Sequence, residues 1–201
     1  MKIENGGKYT SENFEGADLD GLELKKCEFV KCSFRKAILK EIKTYSCIFS
    51  DCDFLHAALN ASVHANSAFT NCNFTKANLF SSKFDNCKMS GSNFTEAVLS
   101  GAAIKEGDWS YVNLRHNNLK KFDLKKVIFR EADFYGCNLE KADLQGADLT
   151  GAVLSKTKLF GANLCGARID GVDFRDVQLN GVHLDVTQPM SILVSLGVIL
   201  E

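Results

Sequence analysis

One residue in five is apolar along almost the whole chain, and that spacing limits what the chain can fold into. Stepping by five from Phe14 to Leu184 gives 35 positions, of which 33 are apolar and 29 are Leu or Phe; only Thr44 and His64 are polar. A period of five matches neither the 3.6-residue repeat of a helix nor the two-residue repeat of a strand. A chain that turns one residue in five inward must therefore turn a corner in every repeat. The residue two positions earlier is usually small, as in Ala17, Cys27, Cys32, Ala37, Cys47, Cys52, Ala57, Ala142, Ala147 and Ala152. The residue between them is often Asp or Asn, as in Asp18, Asn73, Asp133, Asp143 and Asp148.

The number of corners per coil is also legible. Sorting the apolar positions by steps of 20 gives one column that is Leu throughout, from Leu19, Leu39 and Leu59 to Leu179. The column through Phe14 is nearly all aromatic: Phe34, Phe54, Phe74, Phe94, then Leu114, Phe134, Leu154 and Phe174. Like side chains stack best on themselves, so a superperiod of 20 predicts four faces per coil. The expectation is an all-β, four-sided helix of roughly nine coils, a rod of about 40 Å at about 4.8 Å per strand. Residues 1–13 are then an N-terminal cap, 14–184 the repeat, and 185–201 a different module.

Composition narrows the function classes. The formal net charge is −1, from 24 basic and 25 acidic side chains, and the two signs balance in both halves. No strongly basic half is present to grip phosphates, so direct nucleic acid binding is not expected. Met1-Lys2-Ile3-Glu4-Asn5-Gly6-Gly7 has no apolar signal region, and no apolar run is long enough to span a bilayer. With eight Cys and no secretory signal, reduced thiols and a cytoplasmic location are the expectation, with no membrane partner. A Gly-rich phosphate loop, a Cys-x-x-Cys pair and a His-Glu-x-x-His signature are all missing, and ladders of Leu and Phe leave no room for a substrate. The chain reads as a binding protein, not an enzyme, with no catalytic residue, cofactor or metal.

Three departures from the repeat stand out. Seven of the eight Cys occupy the small inward position, Cys165 being the exception. Cys on adjacent coils would lie within the Cα range of a disulfide, so a metal or redox ladder stands beside the reading of Cys as a small hydrophobe. Ser67 and Ser92 continue the same columns, which favours the second. Thr44 and His64 stack on one face and must be hydrogen-bonded or swung outward, giving either a contact site in a local loop near 60–68 or a bulge with a satisfied pair. Around the single Trp109, Val112, Asn117, Phe122 and Val127 replace four consecutive small residues, enlarging one coil within 105–130. Arg115, His116, Lys120, Lys121, Lys125, Lys126 and Arg130 decorate its outside, and a second basic belt runs from Lys25 to Lys43.

After Leu184 comes a helix signal. Thr187 reads as the cap, Pro189 as an early helical residue and Gly197 as the stop. Met190, Ile192, Leu193, Val194 and Leu196 form its apolar stripe, continued by Val198, Ile199 and Leu200. So much exposed hydrocarbon on one short element calls for a partner.

In residues 14–184 the recurring register, small residue and Asp or Asn together resemble the pentapeptide-repeat family. The resemblance implies a right-handed quadrilateral β-helix. The C-terminal module, with Ser195-Leu196-Gly197, is similar to the topoisomerase-protecting branch, the Qnr and MfpA-like quinolone-resistance proteins. That resemblance implies a homodimer joined through Met190, Ile192, Leu193, Leu196 and Ile199. It also implies binding to DNA gyrase or topoisomerase IV by DNA mimicry, occupying the DNA-binding saddle or displacing a poison. The expected partner surface comprises Asp133, Asp143, Asp148, Asp173, Thr44, His64, Trp109 and Arg115. The alternative is a scaffold or adaptor that binds an unrelated protein through a flat face.

Overall fold

The computed structural model describes residues 3–199. Met1, Lys2, Leu200 and Glu201 lie outside the described residues, and with them the first two positions of the N-terminal cap and the last two of the tail. The chain winds into a four-sided parallel β-helix whose partners are always 20 residues apart, such as Tyr9 with Phe29 and Phe29 with Phe49. Parallel strands joined by crossovers wind right-handed because of the strand's own twist, and this coil is a right-handed quadrilateral β-helix.

Among the described residues nine three-residue strands lie on two walls of the first half. One sheet orders β1 (Lys8–Thr10), β3 (Glu28–Val30), β5 (Ile48–Ser50) and β7 (Ala68–Thr70). The other orders β2 (Glu23–Lys25), β4 (Lys43–Tyr45), β6 (Val63–Ala65), β8 (Lys83–Asp85) and β9 (Ala103–Lys105). Beyond Lys105 the pairing continues as single parallel bridges as far as Asn163 with His183. Among the described residues one helix, α1 (Gln188–Ser195), follows the last coil.

The five-residue unit is a strand step plus a corner. In the corner Phe14–Ala17, the Ala17 N–H donates to the Phe14 carbonyl (3.1 Å), and Gly16 has φ +66°. Positive φ at the third residue is the signature of a type II turn. Most corners place an ordinary residue there, for example Lys36 at +55°, at about 1–2 kcal/mol each. The Asp or Asn of the repeat offsets this by bracing the corner. Asn13 Oδ1 accepts the Glu15 N–H (2.9 Å), and Asp133 Oδ1 accepts the Tyr135 N–H (2.9 Å). The residue inside the corner is usually small and packs beside the stacked apolar columns, though Ile42, Val112 and Val127 are buried there too.

Those columns are the core. Phe14, Phe34, Phe54 and Phe74 stack ring on ring at 4.8–4.9 Å, and Phe29, Phe49 and Phe69 form a second stack at 4.5–4.8 Å. Thr44 and His64 stay in the strand ladder, paired in register in β4 and β6. There is no bulge and no loop at 60–68.

The enlarged coil does change the fold. Coil to coil, a backbone N–H normally donates to the carbonyl 19 residues on, as Leu79 to Val98 (2.9 Å) and Ser81 to Ser100 (3.0 Å). Among the described residues the next bonds, from Leu99 to Asn118, Gly101 to Lys120 and Ile104 to Asp123, are missing. The return bonds from Asn118 to Ala97 and from Asp123 to Ala102 are missing too. The wall is intact on either side, at Phe94 N to Asn113 O (2.8 Å) and Ile128 N to Gly107 O (3.0 Å). Two causes coincide. Phe122 occupies the inner corner held by Ser82 and Ala102 below and Ala142 above. The corner after Ile104 lacks the turn hydrogen bond that the corner after Leu124 makes, Val127 N to Leu124 O (3.4 Å), so two unlike corners are stacked.

Candidate functional site

The C-terminal end is built around Gln188. Its Nε2 donates to the carbonyls of Leu164 (2.6 Å) and Ala167 (2.8 Å), and its Oε1 accepts the Asp185 N–H (2.9 Å). The side chain thus pairs the Ala167 carbonyl, which has no backbone donor, and adds a second bond to the Leu164 carbonyl, which already accepts the Ala167 N–H (2.9 Å). Thr187 occupies the cap position, but its side chain makes no capping bond. Asp185 does that work: its Oδ1 accepts from Thr187 N (2.9 Å), Thr187 Oγ1 (2.6 Å) and Gln188 N (3.3 Å). These bonds, led by the Thr187 hydroxyl, hold the Asp185 carboxyl at a pKa of about 2.

Ile192, expected in the dimer face, is buried instead and covers the end of the core. It falls one turn after Gln188, so both face the rod. The helix ends at Gly197 (φ +82°), with Gly197 N donating to Val194 O (3.0 Å) and Val198 N to Leu193 O (3.0 Å). That double closure is a Schellman motif, which needs a residue that tolerates positive φ. The opposite face, Met190, Leu193 and Val194, is exposed, together with Leu196, Val198 and Ile199. Four of the five residues expected at the interface are therefore exposed at the end of the rod.

The expected partner surface divides in two. Thr44, His64 and Trp109 lie inside and cannot touch a partner. Thr44 Oγ1 and His64 Nδ1 hydrogen-bond at 2.8 Å, and His64 Nε2 and Ser62 Oγ at 2.9 Å. Trp109 leans on Phe94 (5.4 Å, 26°) and meets Phe84 edge-on (5.5 Å, 88°). Its Nε1–H has no partner among the described residues. Of the acids, Asp173 is exposed, Asp133 and Asp143 are half-buried and Asp148 is buried, and each is engaged. Asp133 pairs with Arg115 (3.0 Å), Asp143 with Lys125 (3.1 Å), Asp148 with Arg130 (2.7 Å) and Asp173 with Arg175. Burial raises the pKa of Asp148, but hydrogen bonds from Thr150 and Arg130 outweigh it and hold the carboxyl below its ordinary range. Arg115 also lies 4.4 Å over the Tyr135 ring. Asp133, Asp143 and Asp148 are thus corner braces neutralised from the adjacent coil, and Asp173 is neutralised within its own corner.

Two family models match. One, described as a pentapeptide repeat region, covers residues 77–154; the other, pentapeptide repeats in eight copies, covers 13–43 and 147–185. The chain belongs to the pentapeptide-repeat family. No curated protein sequence matches this pentapeptide-repeat chain. Among solved structures it is similar to full-length QnrB1, described as a plasmid-mediated fluoroquinolone resistance protein. Identity is 21%, coverage 97% of this chain and 99% of that one, and the TM-score 0.71. A trypsin-treated variant of QnrB1 aligns at 22% identity over 98% and 99% of the two chains, with a TM-score of 0.65.

The cysteines of this pentapeptide-repeat rod are placed as small core residues. All eight are free thiols, and all but Cys165 are buried. Each buried thiol spends its proton on a carbonyl of the preceding coil, as Cys52 on Phe29 O (3.4 Å) and Cys87 on His64 O (3.3 Å). Burial pushes the Cys87 thiol up to about 11 and that of Cys137 to about 12, leaving almost no reactive thiolate at neutral pH. Among the described residues no three His, Cys, Asp or Glu side chains are grouped to hold a metal ion, and no helix is long and apolar enough to cross a membrane.

Proposed function

We propose that this pentapeptide-repeat protein is a cytoplasmic binding protein, not an enzyme. As a homodimer it would engage DNA gyrase or topoisomerase IV and protect it from a quinolone-type or peptide inhibitor. The reading rests on one observation: the likeness to QnrB1 runs from end to end of both chains. The apolar face of α1 supports the dimer, because hydrocarbon displayed at the flat end of a rod is best covered by its twin. With a net charge of −1 and Asp133, Asp143, Asp148 and Asp173 paired, the rod offers shape more than a DNA-like charge. Contact would then rest on the walls and local pairs rather than on whole-rod mimicry.

The test is a gyrase supercoiling assay with and without a fluoroquinolone. Restored supercoiling at near-stoichiometric protein is expected. If no concentration rescues the enzyme or inhibits it, the scaffold reading replaces this one.

The dimer is checked by light scattering. Twice the 22.1 kDa chain, about 44 kDa, is expected. Met190→Asp with Val194→Asp should give a monomer with little change in the melting curve, since both side chains are exposed. A wild-type monomer at high micromolar concentration would refute the assignment.

A further inference from the structure

The opened wall between residues 96–106 and 115–126 leaves a cleft of about 630 Å³. Its lower rim is β9, the last strand of its sheet. Along that rim the N–H groups of Leu99, Gly101 and Ile104 and the carbonyls of Ala97 and Ala102 have no partner on the coil above. The upper rim mirrors this, with the N–H groups of Asn118 and Asp123 and the carbonyls of Asn118, Lys120 and Asp123 unpaired toward the coil below. An open strand edge of this kind is a template for another strand. The half-buried Phe122, with Ala102 and Ile104, supplies an apolar lining. Five lysines line the cleft, Lys105, Lys120, Lys121, Lys125 and Lys126, against only Glu106 and Asp123. Lys121 and Lys126 have no carboxylate within 4.0 Å among the described residues.

We propose that this cleft is a docking site for an extended, acidic peptide segment of a partner protein, which adds to β9 as a further strand. Strand addition draws affinity from main-chain bonds and specificity from alternate side chains. In β9 Ile104 points inward while Ala103 and Lys105 point out. A strand laid over it sets every second side chain against Ile104 and Phe122 and the others among the lysines. Apolar residues alternating with acidic ones fit that pattern. A phosphate or a nucleic acid backbone would satisfy the lysines and the N–H groups. It has no donors for the unpaired carbonyls on both rims, whereas a peptide supplies donors and acceptors in alternation.

The inference stands apart from the topoisomerase reading, and its test uses no topoisomerase. The probe is a capped pentapeptide in which glutamate alternates with valine, titrated into the full chain and followed by NMR and amide hydrogen exchange. In the free protein the Gly101 and Ile104 amides should exchange at least tenfold faster than those of Ser81 and Phe84 one coil below. Peptide binding should slow them at least tenfold. A lysine–valine peptide should bind at least tenfold more weakly, and the glutamate–valine peptide with N-methylated amides should not bind. Lys121→Glu with Lys126→Glu should weaken binding at least fivefold without changing the melting curve. Phe122→Ala, which restores the small residue of its column and removes one of the two causes of the opening, should raise the protection of both amides and weaken binding at least fivefold. The proposal is overturned if the two amides are already as protected as their neighbours, or if the N-methylated peptide binds equally well. It is also overturned if duplex DNA or polyphosphate binds more tightly than the peptide.

Discussion

Phe54→Ala is expected to lower the unfolding free energy by about 3–5 kcal/mol, the usual cost of emptying a buried aromatic site. Phe54 is buried in the middle of a ladder, stacked on Phe34 (4.9 Å, 4°) and Phe74 (4.8 Å, 5°) and edge-on to Phe49 and Phe69. Its truncation removes four aromatic contacts, each worth about 0.5–1.5 kcal/mol beyond area burial. Collapse cannot fill the hole, because the backbone ladder fixes the spacing of the coils. In a solenoid each coil is held only by its neighbours, so a hole in mid-ladder uncouples the coils below it from those above. A melting midpoint lower by roughly 10 °C is expected, with loss of two-state behaviour. A fall of less than about 1 kcal/mol in denaturant titration would mean that the phenylalanine ladder is not what holds the rod together.

The second large effect is on acid stability, and it comes from one residue. Desolvation in the core depresses the pKa of His64 to about 3, against 6.5 for the free side chain. Because the folded value is the lower one, the unfolded chain binds the proton first. Stability is therefore full above about pH 6.5 and is lost as pH falls toward the folded value. Between pH 7 and pH 5 the loss should be about 2 kcal/mol, from about 1.4 kcal/mol per unit below the unfolded pKa. Carboxylates contribute less in that window, since the ordinary values of 3.8 for Asp and 4.5 for Glu both lie below pH 5. The other histidines, His56, His116 and His183, are exposed.

His64→Phe should flatten this acid limb. It should cost little at pH 7, because the hydroxyls keep one another: Thr44 Oγ1 reaches Ser67 Oγ (3.1 Å) and Ser62 Oγ reaches Ser82 Oγ (3.1 Å). A phenylalanine would also continue the stack that His64 makes on Phe84 at 5.0 Å. Urea titrations of both proteins at pH 7 and pH 5 decide the point. An equal acid loss in the variant would place the effect elsewhere.

The polar pair shows where sequence reading reached its limit. A Thr and a His in an apolar register suggest a bulge, because two unpaired polar groups cannot be buried. The structure keeps both in register because Ser62, Ser67 and Ser82 stand at neighbouring inner corners, and Ser67 and Ser82 pass the bonds on to Ala65 O and Leu59 O. Those serines were visible as replacements of Ala and Cys. That Ser62 meets His64, Ser67 meets Thr44 and Ser82 meets Ser62 follows only from how the coils stack.

What the sequence determined by itself is the periodic part of the molecule. The period of five, the superperiod of 20 and the small residue of the corner dictate four walls, inward columns and partners 20 residues apart, because each is a local rule repeated until it fixes the whole. The start and stop of the helix follow from Pro189 and Gly197 on the same local grounds. Tertiary structure decided whatever depends on two coils meeting. Ile192 turns to the rod because Gln188, one helical turn earlier, is tied to carbonyls more than 20 residues away. The acids became braces because their basic partners, at Arg115, Lys125 and Arg130, lie 18 residues earlier on the adjacent coil. The wall opened at β9 because the Phe122 corner and the Ala102 corner, each allowable alone, cannot stack at one strand spacing.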